Sequence, residues 1–323
     1  MKRAIFALTL LFFVTGCGNT AATLPAATPT TLFLVTAPFD STPTLTPFQP
    51  QDVPLATAIP EQSSSQVEPI SQPAGQVSIL LLGSDQRPNA GDFRTDVMIL
   101  VTFRADHSIS LVSFPRDLYV YLPGRNMQRI NAAMEFGGFD LLKSTFEDNF
   151  GISPQHYILT NFNGFKSIVD SLGGMNVSVA QTLHDTRTGY PDGYTVYPGL
   201  VHMDGEMALW YVRSRKSTSD FDRLRRAQEV IIAISMKLFS LNTLNSLPEA
   251  YAAYRNAVVT DITLDDVIQF LPLLQAVDLN RVDRYQVDTN QATPWTDPNS
   301  GSYYLLPQTE AIQQLLRQAV GSP

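Results

Sequence analysis

Val97–Val101 is a run of five consecutive apolar residues, Val-Met-Ile-Leu-Val. Such a run, partly β-branched and too short for a helix, makes a strand that is apolar on both faces. A strand of that kind is stable only in a sheet covered on both sides. It extends from Asp96 to Phe103, and comparable segments recur at Val77–Leu82, Ser108–Phe114 and His156–Phe162, with a strand-like Arg281–Val287 later. Helical patterns fit 139–150, 164–172, 205–212, 221–241, 263–277 and 307–319; Thr263, with Asp266 three residues on, opens one of them as a capping box. Strands alternating with helices predict an α/β fold, an α/β/α-type layered sandwich around a mixed central sheet. No repeat or second linker breaks the pattern, so residues 76–323 are expected to form one domain, with 242–323 as its C-terminal layer.

The chain before residue 76 has a different character. Lys2 and Arg3 precede an apolar stretch, Ala4–Val14, too short to span a bilayer as a helix. It ends in Val14-Thr15-Gly16-Cys17, which resembles a bacterial lipobox. Residues 1–17 therefore read as a lipoprotein signal peptide with Cys17 as the lipidation site, and a cleaved secretory signal with an incidental cysteine is the other reading. Both export the chain, and a lipid on Cys17 would tether it to the outer face of the membrane. Residues 18–75 contain no Lys or Arg, hold 10 of the 22 prolines and 10 threonines, and show no hydrophobic period. That composition predicts a disordered linker. Cys17 is the chain's one cysteine, which excludes an internal disulfide framework and a multi-cysteine metal site.

A net charge of −8 argues against a nucleic-acid partner, which needs a basic surface. An anionic ligand then requires a local basic site, and the basic residues are 17 Arg against 5 Lys. Arginine is the bidentate, permanently charged choice for phosphate. No Gly-rich phosphate loop, dinucleotide fingerprint, His-Glu-x-x-His or Gly-x-Ser-x-Gly motif is present, and the four histidines are scattered.

Charge collects instead at strand ends, where open α/β sheets bind ligands. Asp85 lies just past Val77–Leu82, with Arg87 two residues on, and Arg94-Thr95-Asp96 opens the next strand. Two carboxylates at neighbouring strand ends suit Mg²⁺, which completes its shell with substrate phosphates; Asp at such places is also an ordinary turn former. Ser113-Phe114-Pro115-Arg116-Asp117 ends a third strand, and Arg116 serves either a phosphate or a salt bridge to Asp117. Arg129-Ile130-Asn131-Ala132 adds a guanidinium beside a helix start. Arg213, Arg215, Lys216, Arg223, Arg225 and Arg226 then cluster within fourteen residues. Arg223 and Arg226, three apart on a helix, share a face suited to a pyrophosphate, while Arg225 points elsewhere.

Gly83-x-Asp85, Arg94-Thr95-Asp96, Phe114-Pro115-Arg116-Asp117, Arg129-Ile130-Asn131-Ala132, Arg213-x-Arg215 and Asp220-Phe221-x-Arg223-x-x-Arg226 stand in the order, and near the spacing, of the LytR-CpsA-Psr family. Residues 77–235 resemble it. The resemblance implies a sandwich with an apolar pocket for a polyprenyl chain. It also implies transfer of a glycopolymer from a polyprenyl-pyrophosphate carrier to peptidoglycan, with release of polyprenyl phosphate. On the same ground Asp85 and Asp96 are expected to bind Mg²⁺. Arg94, Arg116, Arg213, Arg215 and Arg223 are expected to hold the pyrophosphate, with Arg129 and Arg226 added to that set. Arg116, Asp220 and Asp85 are the catalytic candidates, and the choice of Asp85 or Asp220 as general base stays open. Arg129 stands where many members have Lys. Ala227 stands where they have Gln, and Gln228 is rotated about 100° from that place.

The implied partners are a polyprenyl-pyrophosphate-linked glycan, a peptidoglycan acceptor and the membrane through Cys17; the oligomeric state is not legible. Two other functions fit the same arginines: a hydrolase using water as acceptor, and a non-catalytic protein that captures anionic glycans and needs no metal. Helices 139–150, 164–172 and 229–240 are candidate walls for a lipid pocket, or ordinary core. Trp295 and Tyr303-Tyr304 either border a sugar cleft or pack.

Overall fold

The computed structural model describes residues 67–86, 93–215, 218–240, 254–255 and 257–321. Residues 1–66, which include the expected signal peptide with Cys17 and most of the expected linker, lie outside the described residues, as do Arg87 and Lys216.

In chain order the elements begin with strands β1 (Val77–Ser84), β2 (Thr95–Phe103), β3 (Ile109–Phe114), β4 (Tyr119–Tyr121) and β5 (Met127–Arg129). Helix α1 (Ala133–Phe150), β6 (His156–Asn161) and α2 (Phe162–Ser171) follow. Next come β7 (Met175–Val179), β8 (Leu183–Arg187), β9 (Tyr190–Val196), β10 (Gly199–Met203), α3 (Gly205–Arg213) and α4 (Asp220–Ser240). The chain closes with β11 (Val258–Thr260), α5 (Leu264–Ala276), β12 (Val282–Gln286), β13 (Ala292–Thr296), β14 (Tyr303–Pro307) and α6 (Thr309–Val320).

The central sheet has the order β11-β6-β1-β2-β3-β12. It is mixed: β1 runs parallel to β6 and β3 parallel to β12, while β2 lies antiparallel between β1 and β3. The period of two divides each strand between two layers. Leu80, Met98, Leu100, Val112 and Phe114 form a core with Leu142 and Phe146 of α1 and Ile312 and Leu316 of α6. Ile99, Val101, Ile109 and Leu111 face the other way, onto Ala227 of α4. Helices therefore cover both faces, the layered α/β sandwich expected from the uninterrupted apolar strands. A smaller layer of β7–β10 packs on α2, α3 and α4 around Val177, Val196, Tyr211 and Val230.

The ordered body starts before residue 76. Ile70 is buried in the α1–α6 core, its amide donates to the Gly151 carbonyl at 2.7 Å, and Gln72 Nε2 donates to Ser153 O at 2.9 Å. Gly151 allows this approach. Its φ is +74°, and a Cβ there would stand 2.3 Å from the Glu68 carbonyl oxygen. Pro69 and Pro73 give this segment a linker's composition although Ile70 and the hydrogen bonds at Glu68, Ile70 and Gln72 dock it.

Candidate active site

Between the β1–β2–β6 face of the sheet and helices α2, α4 and α5 runs one cavity of about 780 Å³. Ile79 and Leu81 line it, while Leu80 between them faces the opposite core. Phe165 of α2, Ile231 and Ile234 of α4 and Phe270 of α5 close the far side. The lining extends along β1 from Val77 to Asp85, roughly 25 Å at the rise of a strand. The walls are mostly apolar, with Ser235, Tyr254 and Arg255 as polar exceptions, and at one end Asp85, Arg94, Asp96, Arg116, Arg213, Arg215 and Arg223 gather.

Each of these side chains is placed by a local device. At the end of the β1–β2 ladder Gly83 opposes Val97 and Ser84 opposes Thr95, so Asp96 is the extra residue of a β-bulge. The bulge breaks alternation: Asp96 and Val97 both line the cavity, while Thr95 is buried and donates to Asn131 O at 3.2 Å. Beside it Arg94 N donates to Asp85 Oδ1 at 2.7 Å and Asp85 N to Arg94 O at 3.2 Å. Arg116, just beyond β3, donates from Nη1 to Asp96 Oδ1 at 2.7 Å. Arg213 ends α3 with its guanidinium 4.1 Å above the Phe162 ring at the start of α2. Asp185 Oδ2 accepts from the Arg215 amide at 3.0 Å and fixes the chain leaving α3.

Helix α4 enters the mouth by its N-terminus, where Ser219 Oγ accepts from Asp222 N and the Asp222 carboxylate accepts from Ser219 N. A reciprocal cap of this kind fixes the helix start, whose dipole favours an anion. Arg223 is almost fully buried, donates from Nη2 to Asp220 Oδ2 at 2.9 Å, and keeps a buried Nε with no hydrogen-bond partner among the described residues. An orphaned buried donor at the edge of a cavity is what an anionic ligand would satisfy. Asp220 also lies 3.9 Å from Arg215 Nη1, so it holds two arginines from behind. Burial works against the charge on Arg116, but the Asp96 hydrogen bond and the fields of Asp96, Asp220 and Asp117 outweigh it and raise its pKa above the usual guanidinium value.

Two expected phosphate ligands are engaged elsewhere. Arg226 is 1% exposed and donates to the carbonyls of Tyr211 and Ser214 and to Thr218 Oγ1. Three residues turn a helix by about 300°, so Arg223 and Arg226 diverge by some 60°, enough to send Arg226 to the end of α3. Arg129 pairs with Asp117 at 3.1 Å, donates to Tyr303 O at 2.8 Å and stands over the Tyr304 ring, outside the cavity lining. Of the proposed walls, 164–172 and 229–240 contribute, but 139–150 does not: Leu142, Phe146 and Phe150 fill the core on the other face.

Sequence reasoning missed α5 as a wall. It carries Val267, Phe270, Leu273 and Leu274 toward the cavity, yet none of its residues is fully buried. An apolar helix in a C-terminal region was the available signal. Ala227 lines the cavity, whereas Gln228 points to the sheet, donating to Ser113 Oγ and Tyr285 O and accepting from Arg284 Nε at 3.1 Å. The amide expected at 227 from the family resemblance is absent, and Ala227 is part of the apolar wall.

Among the described residues no three His, Cys, Asp or Glu side chains group closely enough to hold a metal. Asp85 and Asp96 share the mouth, each commits Oδ1 to the bonds above, and Oδ2 takes no part in them. Two carboxylates completed by phosphate oxygens and water fit Mg²⁺.

Three comparisons bear on this geometry. The LytR_cpsA_psr family model matches residues 52–320. The polyisoprenyl-teichoic acid–peptidoglycan teichoic acid transferase TagU of Oceanobacillus iheyensis is 33% identical over 255 residues, 76% of this chain and 75% of that protein. TagT of Bacillus subtilis, a transferase of the same description, is 28% identical over 80% of each chain. The solved structure of TagT bound to LIIa-WTA superposes with a TM-score of 0.60 at 28% identity, covering 76% of this chain and 91% of that one. B. subtilis TagV, 24% identical, shares the fold with a TM-score of 0.64 over 77% of this chain and 98% of its own. The chain belongs to the LytR-CpsA-Psr family.

Proposed function

We propose that this protein moves a glycopolymer from a polyprenyl-pyrophosphate carrier to a hydroxyl of peptidoglycan and releases polyprenyl phosphate. The observation that carries this reading is the continuity of one cavity from apolar walls to an arginine mouth. A polyprenyl pyrophosphate has the same two-part chemistry: a long hydrocarbon that gains by leaving water, and an anion that needs fixed cations. The teichoic acid transferase names of TagU and TagT support the choice of donor and acceptor.

In this reading the tube holds the prenyl chain, and Arg94, Arg116, Arg213, Arg215 and Arg223 surround the pyrophosphate. The acceptor hydroxyl attacks the sugar-linked phosphorus and gives its proton to a carboxylate, Asp85 or Asp220, while the bond to the bridging oxygen breaks and polyprenyl phosphate leaves. Negative charge grows on that oxygen, so cations fixed in advance bind the transition state more strongly than the substrate. Asp220 keeps Arg215 and Arg223 oriented, and the Asp96 pair keeps Arg116 at the phosphate. Asp85 and Asp96 would hold Mg²⁺, which supplies further neutralisation of phosphate charge when bound.

The reaction belongs outside the cell, where peptidoglycan is. No helix among the described residues is long and apolar enough to cross a membrane. A lipid on Cys17, with the following Pro/Thr-rich segment as spacer, is the proposed anchor. The test is release of polyprenyl phosphate from a polyprenyl-pyrophosphate-linked glycan, measured with and without peptidoglycan; release independent of acceptor would contradict the transferase reading.

A further inference from the structure

The β13–β14 hairpin is fastened to the segment that carries Arg116. Leu305 N donates to the Asp117 carbonyl at 2.9 Å, and Leu118 and Leu305 form an isolated parallel bridge. Arg129 ties the two sides together, since it pairs with Asp117, donates to Tyr303 O and lies 4.8 Å above the Tyr304 ring. Tyr304 packs in turn on Tyr119, 4.5 Å between centroids, and on Trp295 at 5.8 Å. These three rings support one another.

Tyr303 alternates with Tyr304 along β14 and its side chain projects from the other side of the strand. It is 44% exposed. Burial and the fields of Asp117 and Asp220 raise its pKa, and the same two carboxylates act on Arg116. An aromatic ring is therefore held on a fixed strand, partly open to water, in the electrostatic neighbourhood of the phosphate mouth.

We propose that this hairpin is a carbohydrate subsite, with the Tyr303 ring as a stacking platform for a pyranose next to the pyrophosphate. The proposal rests on the transferase reading above. A pyranose presents a C–H face that packs on an aromatic ring, and a rim of hydroxyls that can donate to a carboxylate such as Asp117. The phosphorus joins a prenyl tail that fills the cavity to a sugar that must leave it, and Tyr303 is tied to Arg116 of that mouth through Arg129 and Asp117. The first sugar of the donor and the incoming sugar of the acceptor share this chemistry.

The test uses the full chain and three probes: polyprenyl pyrophosphate, a polyprenyl-pyrophosphoryl disaccharide, and a soluble glycan strand from peptidoglycan. Tyr303→Ala is expected to weaken a sugar-bearing probe about tenfold and to leave sugar-free polyprenyl pyrophosphate unchanged, whereas Tyr303→Phe retains affinity. Loss on the disaccharide lipid assigns the platform to the donor sugar, and loss on the glycan strand assigns it to the acceptor. Equal loss on the sugar-free lipid, or no loss on either sugar probe in a variant that melts like the parent, overturns the subsite. Failure of the parent protein to bind polyprenyl pyrophosphate would instead overturn the transferase reading, a separable result.

Discussion

Arg116 donates to Asp96 at 2.7 Å, and the pair fastens the end of β3 to the bulge at the start of β2. Both side chains are about one-quarter exposed at the charged end of the cavity. Removing Arg116 leaves the Asp96 charge uncompensated beside the substrate phosphates, and removing Asp96 leaves Arg116 only the longer 3.6 Å pair to Asp117. Arg116→Ala is expected to lower kcat/KM roughly a hundredfold, as loss of a fixed transition-state donor does. Asp96→Ala is expected to fall alike, because Arg116 loses its orientation; steady-state kinetics on folded protein checks both.

Arg226 and Arg213 should separate by readout. Arg226→Ala leaves the buried Tyr211 and Ser214 carbonyls without their donor and is expected to cost about 3 kcal/mol of stability in denaturant unfolding. Arg213→Ala, at an exposed position, should unfold like the parent but bind polyprenyl pyrophosphate more weakly. Equal stability of the two variants would return Arg226 to the set of phosphate ligands.

The tube should measure chain length. Ile234 lies about 16 Å along α4 from Arg223, so Ile234→Trp fills the cavity beyond that depth. Long polyprenyl substrates are expected to lose affinity by about tenfold or more, and short-chain analogues to keep it. Binding titrations against a series of prenyl lengths provide the check.

Chelation should remove activity and added Mg²⁺ restore it, if Asp85 and Asp96 hold the cation at the mouth. Asp85→Asn is expected to raise the Mg²⁺ concentration needed for half-maximal rate. A rate indifferent to chelator would show that the arginines suffice.

Asp106, in the turn between β2 and β3, gives a pH signature. The side-chain and backbone hydrogen bonds of Ser108, with a smaller contribution from Arg281, lower its pKa from 3.8 to about 2. A depressed folded-state value means stability that is fully present above the unfolded pKa and lost as pH falls from 3.8 to about 2. Asp106→Asn should therefore be less stable than the parent at neutral pH, with the gap closing through that window in acid melts. The side chain is exposed, so the gap is small.

The sheet was legible because Val97–Val101 can be buried only on both faces, and the capping box at Thr263 marked the start of α5. The short hairpins at 119–129, 183–196 and 292–307 were not, since their strands are short and alternate with exposed residues. Seven of the expected charged residues do line one mouth: Asp85, Arg94, Asp96 and Arg116 because strand-end position survives folding, and Arg213, Arg215 and Arg223 because the end of α3 and the start of α4 meet there. Arg226 and Arg129 were expected at the phosphate and are engaged elsewhere, because a guanidinium's partner depends on the neighbour that packs against it. For Arg226 that neighbour is the end of α3; for Arg129 it is the β14 hairpin. The bulge that turns Asp96 toward the cavity leaves no mark in composition or period.

The measurement closest to the central claim follows polyprenyl phosphate released by the full-length protein from a polyprenyl-pyrophosphate-linked glycan. It is made with peptidoglycan present or absent, beside Arg116→Ala. The account predicts release that requires acceptor and falls roughly a hundredfold in the variant, with glycan appearing on peptidoglycan in equal amount. Release without acceptor, or glycan binding without any release, would contradict it.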